Sequence, residues 1–258
     1  MNMANAAAHE RVRAAADGID QDLPELARAV IRQYLDAQSE DTQSFLARPD
    51  ARNQHQTRWH QWGIITHTRV FLRHLDEDIP RFLTRWGLWE IADTFLSRPI
   101  DGAARWDLLR IGVLLHDIGK FAARTRGRER YHFTGHERLS GQIIRENLDL
   151  SRYGLTPDQM EYVARTAEDH FVLGLIRKRA RDQGTYDLNF VSGPRFPAVA
   201  LDIKRTHPED FVEIGILFLG DSLAKAQPDS GPPDALTQYD LNIHVAHRYL
   251  AAVLDRPV

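Results

Sequence analysis

Leu114-Leu115-His116-Asp117-Ile118-Gly119-Lys120 is the stretch on which the reading of this chain turns. An apolar run ends abruptly in an imidazole, a carboxylate, a glycine and an ammonium. Buried charge is costly unless it is paired, so a core segment rarely carries such groups for packing alone. Two adjacent metal-ligand side chains, with a lysine three residues later, predict the centre of a metal site. Upstream, Leu109 and Val113 share the inward side with His116 and Asp117, which predicts a helix over 104–118 with Gly119 capping its C-terminus.

The same three- and four-residue spacing of apolar residues runs through most of the chain, and strand-like alternation is scarce. Helices are predicted over 22–38, where Leu23, Leu26, Val30 and Tyr34 share a face and Pro24 fits the first turn, and then over 58–76 and 80–97. Residues 40–57 read as a polar loop with a helical turn. Further helices are predicted over 136–149 and from Thr156 to about 181. Thr156 serves there as N-cap, Pro157 as first helical residue and Gln159 as the partner in a capping box. The stretch 182–206 reads as an irregular insertion with a short strand pair. Helices over 208–225 and 238–254 follow, separated by a loop at 226–236. The fold class is all-α, a compact helical bundle. The 258 residues are expected to form one domain, with a core at about 58–225 and the 22–38 and 238–254 helices packed on it.

Composition narrows the chemistry. There is no cysteine, so there are no disulfides and no thiolate ligands, and a metal must sit on His, Asp, Glu and water. A net charge of −3 supplies no global field toward nucleic acid. No apolar run reaches the ~20 residues that span a bilayer, and Met1-Asn2-Met3-Ala4-Asn5 does not open like a secretion signal. A cytoplasmic protein without a membrane partner is expected, and the sequence leaves room for a homo-oligomer.

Polar residues on apolar helix faces supply the other candidate ligands. His67 follows Ile64 and precedes Phe71 and His74 at 3, 4, 3 spacing. His170 lines up with Val163, Ala167 and Phe171, and Asp221 with Ile214, Leu217 and Phe218. His136 opens a helix whose buried side is marked by Leu139 and Ile143. Taken singly, an inward His is more often a hydrogen-bonded core residue, an inward Asp a cap or ion-pair partner, and Lys120 a cation at a helix C-terminus. Taken together, His67, His116, Asp117, His136, His170 and Asp221 would need six separate partners, where one bimetal centre satisfies all of them.

Their order resembles that of the HD-domain superfamily of metal-dependent phosphohydrolases: a His, a His-Asp pair and a distal Asp on separate helices of an all-α bundle. The matching segments are Ile65-Thr66-His67-Thr68-Arg69-Val70, His116-Asp117 with its continuation Ile118-Gly119-Lys120, and Leu219-Gly220-Asp221-Ser222-Leu223. His136, in Phe133-Thr134-Gly135-His136-Glu137-Arg138-Leu139-Ser140, and His170, in Asp169-His170-Phe171, fall where the two-metal branch carries extra ligands. That branch includes cyclic-nucleotide and cyclic-dinucleotide phosphodiesterases. His136-Glu137 and Leu148-Asp149-Leu150-Ser151 also resemble the HD domains attached to bacterial tRNA nucleotidyltransferases. The Gly-Tyr-Pro motif of the cyclic di-GMP subgroup is missing, so that substrate is not favoured, and a stand-alone HD protein is expected.

The resemblance implies two divalent metals, drawn from Mn, Fe, Zn, Mg, Co or Ni. Asp117 would bridge them, with His67, His116 and Asp221 on one metal and His136 and His170 on the other. The implied activity is hydrolysis of a phosphoester in a nucleotide, a cyclic nucleotide or an RNA end by metal-activated hydroxide, with Asp117 and Lys120 as catalytic residues. Arg124 and Arg128 before His136, and Arg177 and Lys178 after His170, are candidate phosphate contacts. The competing reading of these arginines is a solvated charged face. A di-iron oxygenase on the same scaffold and a non-catalytic signalling module stabilised by its metal are the alternative functions. His55, His60, His207, His244 and His247 have no comparable placement and read as structural or exposed.

Overall fold

The computed structural model describes residues 3–175 and 188–256. In chain order its first helices are α1 (Met3–Tyr34), α2 (Glu40–Ala47), α3 (Ile64–Arg85), α4 (Trp89–Leu96), α5 (Arg105–Leu115), α6 (Lys120–Ala123), α7 (His136–Glu146) and α8 (Pro157–Asp169). Helices Leu188–Ser192, Phe196–Thr206, Phe211–Leu223 and Pro233–Val253 follow. Strand is confined, among the described residues, to two two-residue antiparallel pairs, Pro99–Ile100 with Ala103–Ala104 and Thr125–Arg126 with Tyr131–His132. The all-α expectation holds.

Helix α5 organises the rest because it has almost no wet side. Leu108, Leu109, Ile111, Val113, Leu114 and Leu115 are all buried. A helix apolar all round must be covered all round, and α1, α3 and α8 cover this one. Leu109 and Val113 join a cluster with Phe71, Leu75, Leu217 and Tyr249. Leu108, Ile111 and Leu114 join another with Ile19, Leu23, Ile143 and Tyr162. His116-Asp117 therefore emerges from the end of a helix shared between two apolar clusters.

Several boundaries differ from the sequence expectations. α1 begins at Met3 rather than near 22 and runs through Pro24. Its buried face before Leu23 is Val12, Ala15, Ala16 and Ile19, and alanine stripes are weak hydrophobic signals on strong helix formers. α3 runs through Pro80 to Arg85, because Leu75, Ile79 and Leu83 continue one buried stripe. The supposed loop at 40–57 contains α2, which buries only Thr42 and Phe45. α8 starts with the expected capping box at Thr156, but it stops at Asp169, not near 181. The described part of 182–206 is two helices, not a strand pair, with Pro197 in the first turn of one of them.

A buried polar network ties α5 to the Phe211–Leu223 helix. Arg105 reaches Glu213 at 3.0 Å and Glu209, and the Tyr162 hydroxyl donates to Glu213 at 2.9 Å. Burial pushes the Glu213 carboxyl up to about 7, with Arg105 pulling the other way. A carboxyl raised on folding contributes stability that is full below its unfolded value near 4.5 and is lost as pH rises through about 7. Glu213→Gln resembles the protonated side chain. It should therefore match the wild type below pH 4 and exceed it at pH 8.5, by at most about 3 kcal/mol. Paired thermal melts across that range measure this; a stability difference that shrinks as pH rises would refute it.

Candidate metal centre

Helix ends build the site. His116 directly follows the last residue of α5 and His170 the last residue of α8. The final carbonyls of a helix lack intrahelical partners, and these rings supply them. His116 Nδ1 donates to the Val113 carbonyl at 2.7 Å, and His170 Nδ1 to the Ala167 carbonyl at 2.7 Å. His136, the first residue of α7, donates from Nδ1 to the Phe133 carbonyl at 2.8 Å. Its preceding residue, Gly135, has φ of 77°, a left-handed value that glycine adopts without strain. A carbonyl oxygen only accepts, so Nδ1 carries the hydrogen in all three rings. When neutral, each ring presents a bare Nε2. Such orienting bonds are the usual outer shell of metal-binding histidines.

These Nε2 atoms converge on Asp117, which is 1% exposed. Asp117 Oδ1 lies 3.2 Å from His136 Nε2 and 3.8 Å from His170 Nε2. Asp117 Oδ2 lies 3.4 Å from His116 Nε2 and 3.7 Å from His67 Nε2. His67, on α3, places Nδ1 3.1 Å from the Ala224 carbonyl and Nε2 3.1 Å from Asp221 Oδ1. A neutral imidazole has one N–H and cannot serve both. Buried His116 Nε2 and Asp117 Oδ1 have no hydrogen-bond partner among the described residues. The site is a set of lone pairs facing one another with too few hydrogens to share. Two groupings have ligand atoms within 4.8 Å of one another: His67, His116 and Asp117, and Asp117, His136 and His170. The donors are imidazole nitrogens and carboxylate oxygens, which fit a divalent transition metal, and the unpartnered atoms are the ones a cation would satisfy. Asp117 belongs to both groupings and has the two oxygens that a bridging ligand needs.

The electrostatics favour a cation as well. Burial pushes the Asp117 carboxyl up, but His116 and Lys120 outweigh it and hold it well below the usual carboxylate range. Burial likewise opposes ionisation of Asp221, and Lys225 and His67 override it. Burial, then His116 and His136, hold His170 well below the ordinary imidazole value; burial also lowers His67. His116 moves the other way: burial lowers it, but the adjacent Asp117 more than compensates.

The structure thus brings His67, His116, Asp117, His136 and His170 together and sets Asp221 beside His67. Lys120 donates to Asp117 Oδ2 at 2.7 Å. Gly119 is not the expected left-handed cap. It has right-handed φ and ψ of −65° and −19° and precedes α6. Its lack of a side chain serves close packing, since a Cβ there would lie 2.2 Å from the His136 carbonyl and 2.6 Å from the Ser140 nitrogen.

The arginine expectations fare differently. Arg124 is buried, pairs with Asp41 at 2.8 Å, bonds Gln54, and is sandwiched between the Phe45 and Tyr131 rings. It ties the 125–132 hairpin to α2 and is not offered to a ligand, which corrects its assignment as a phosphate contact. Arg128 is exposed on that hairpin. Arg177 and Lys178, with Arg179 and Arg181, lie outside the described residues. His74, on the same helix as His67, pairs with Asp78 at 2.7 Å.

Three residues at the site were not anticipated. Lys225 donates to Asp221 Oδ2 at 2.6 Å, and its i+4 spacing was a usable signal. His55 accepts from Lys120 at 3.0 Å and stacks on His60 with ring centroids 3.8 Å apart. Both rings come from a stretch with no helical periodicity, so nothing in the sequence indicated which way they face.

The family model described as HD domain matches residues 90–215. That span contains His116, Asp117, His136 and His170, while His67 and Asp221 reach the site from helices whose contributing residues fall outside it. No curated protein matches the chain.

Filling the Gly119 contact tests the geometry. Gly119→Ala pushes against backbone, so it should cost about 1–3 kcal/mol and move His136 off Asp117. Elemental analysis of the purified variant should show less metal per chain than the wild type. Full metal content with an unchanged melting temperature would refute the packing argument.

Proposed function

We propose, from the match of residues 90–215 to the HD-domain model, that the chain hydrolyses a phosphoester of a nucleotide, a cyclic nucleotide or an RNA end. The observation that carries this reading is the shared position of Asp117. One buried carboxylate stands between His67 and His116 on one side and His136 and His170 on the other, with a lysine ammonium on the same group. His67, His116 and Asp221 would hold one divalent metal, His136 and His170 the other, and Asp117 both. Bound there, divalent metals supply Lewis acidity toward phosphoryl oxygens and lower the pKa of water toward neutrality.

The chain's own residues do the rest. The imidazole-to-carbonyl bonds fix the ligand rings before anything binds, so no ordering cost falls on the reaction. Lys120 is 4% exposed, and its positive charge beside Asp117 can offset charge gathering on a transferring phosphoryl group. In the balanced reaction, water oxygen forms a new bond to phosphorus, the bond to the ester oxygen breaks, and the departing oxygen gains a proton. No helix among the described residues is long and apolar enough to cross a membrane.

Metal analysis followed by a panel of nucleotides, cyclic nucleotides and oligoribonucleotides tests the proposal. Turnover should require a divalent metal. Asp117→Asn should abolish both metal retention and turnover. Lys120→Ala should keep its metal and lose about 10²-fold in kcat, the usual cost of removing one charge-stabilising donor. Metal-loaded protein that cleaves no phosphoester but consumes oxygen when loaded with iron would overturn the proposal in favour of an oxygenase.

A further inference from the structure

Lys120 is held from two sides, and the second side belongs to a residue with no other visible task. Its ammonium donates to Asp117 Oδ2 at 2.7 Å and to His55 Nε2 at 3.0 Å. His55 is 2% exposed, and its Nδ1 faces the Trp62 carbonyl at 3.1 Å. That carbonyl can only accept, so Nδ1 carries the ring hydrogen and Nε2 is left as the acceptor that Lys120 needs. The ring plane is fixed by His60, stacked on it at 3.8 Å between centroids, and by the edge-on ring of Phe133 at 5.9 Å.

An ammonium has three N–H donors. Asp117 and His55 take two of them. The third has no hydrogen-bond acceptor among the described residues; the ammonium lies 6.0 Å from the centroid of the Phe133 ring. Two fixed hydrogen bonds on a tetrahedral nitrogen set the direction of the third, whereas a lysine held by Asp117 alone could swivel about that single contact. A four-carbon stem makes this restraint matter, because an unrestrained lysine is a mobile point charge.

We propose that His55 is a positioning residue: through its hydrogen bond it aims the third N–H of Lys120 at a phosphoryl oxygen of the substrate. The recognition of phosphate rests on the phosphoester reading above; the restraint on Lys120 does not. His55 need not touch substrate or metal. It acts through Lys120, and its effect should vanish when Lys120 is gone.

The test uses the full chain loaded with zinc, a diamagnetic ion that leaves nearby nuclear signals observable. Four variants are compared with the wild type: His55→Leu, His55→Gln, Lys120→Met and the double variant His55→Leu/Lys120→Met. Glutamine keeps an acceptor within reach of Lys120 and leucine does not. The first measurement needs no activity. The Lys120 ammonium signal in a ¹H–¹⁵N spectrum, assigned by its loss in Lys120→Met, should be sharp in the wild type and in His55→Gln. It should broaden or vanish in His55→Leu, with metal content unchanged. The second is turnover of bis(p-nitrophenyl) phosphate and its inhibition by inorganic phosphate. His55→Leu should lose about 10²-fold in kcat, the scale of a misplaced catalytic group, and bind phosphate more weakly. His55→Gln should recover most of both, and His55→Leu should cost nothing further in the Lys120→Met background.

An unchanged ammonium signal in His55→Leu would overturn the proposal whatever the turnover. So would equal damage from leucine and glutamine, or losses that multiply in the double variant. If the wild type turns over no phosphoester while the ammonium signal depends on His55 as expected, the restraint stands and the phosphoester reading is what fails.

Discussion

Everything near the centre of this molecule answers to one buried carboxylate. Asp117 sits at the end of a helix covered on all sides, where an isolated anion would cost several kcal/mol. The fold compensates it without neutralising it. Lys120 pairs with Oδ2, and four histidine rings from four helix ends or faces turn toward it. Because Lys120 satisfies only Oδ2, Oδ1 remains without a hydrogen-bond partner among the described residues. A structure that needed only a stable core would have filled this place with apolar side chains; retaining an unsatisfied oxygen here is the mark of a site.

The rings are aimed by the oldest shortage in helical architecture, the unpaired carbonyls of the last turn. At Val113 and Ala167 that shortage is met by the Nδ1 of the next helix-ending histidine. One hydrogen bond thus does two jobs: it terminates a helix, and it selects the tautomer whose Nε2 can bind a cation. This explains why α8 stops at Asp169 although its apolar pattern continues. It also explains why the ligands cluster where helices end, since a mid-helix histidine has no free carbonyl at the right place. His67, in the first turn of α3, has no last-turn carbonyl of its own helix to use, and it borrows that of Ala224 just past the end of the Phe211–Leu223 helix.

What could be read from sequence follows the same physics. The 3.6-residue period places a residue on a face, so His67, His116, His170 and Asp221 were visible as polar residues on apolar faces. His136 was visible as the first residue of a helix. Period says nothing about residues in irregular chain, and His55 and His60 reach the site from such a stretch. Nor does charge reveal burial: Arg124 reads as one of several surface arginines, yet Phe45, Tyr131, Gln54 and Asp41 enclose it. Helix boundaries were least legible where alanine carried the buried face, as in α1, and where a proline sat inside a continuing stripe, as in α3.

The charges at the centre balance in pairs: Asp117 with Lys120, and Asp221 with Lys225, each lysine on an Oδ2 atom. Burial holds the imidazoles of His67 and His170 below their ordinary value, whereas the adjacent Asp117 raises that of His116. These two pairs bring two carboxylates and two ammonium groups to the site. Any divalent cation added to that balance leaves a positive excess in a water-poor place, where charge acts strongly. A site of that kind attracts anions, and more strongly with two cations than with one. A shell whose carboxylates are already paired with lysines, around a cationic core, is suited to a phosphoester. It offers less to a neutral substrate, and this is the electrostatic argument for preferring hydrolysis of a phosphoester over oxygen chemistry on the same ligands.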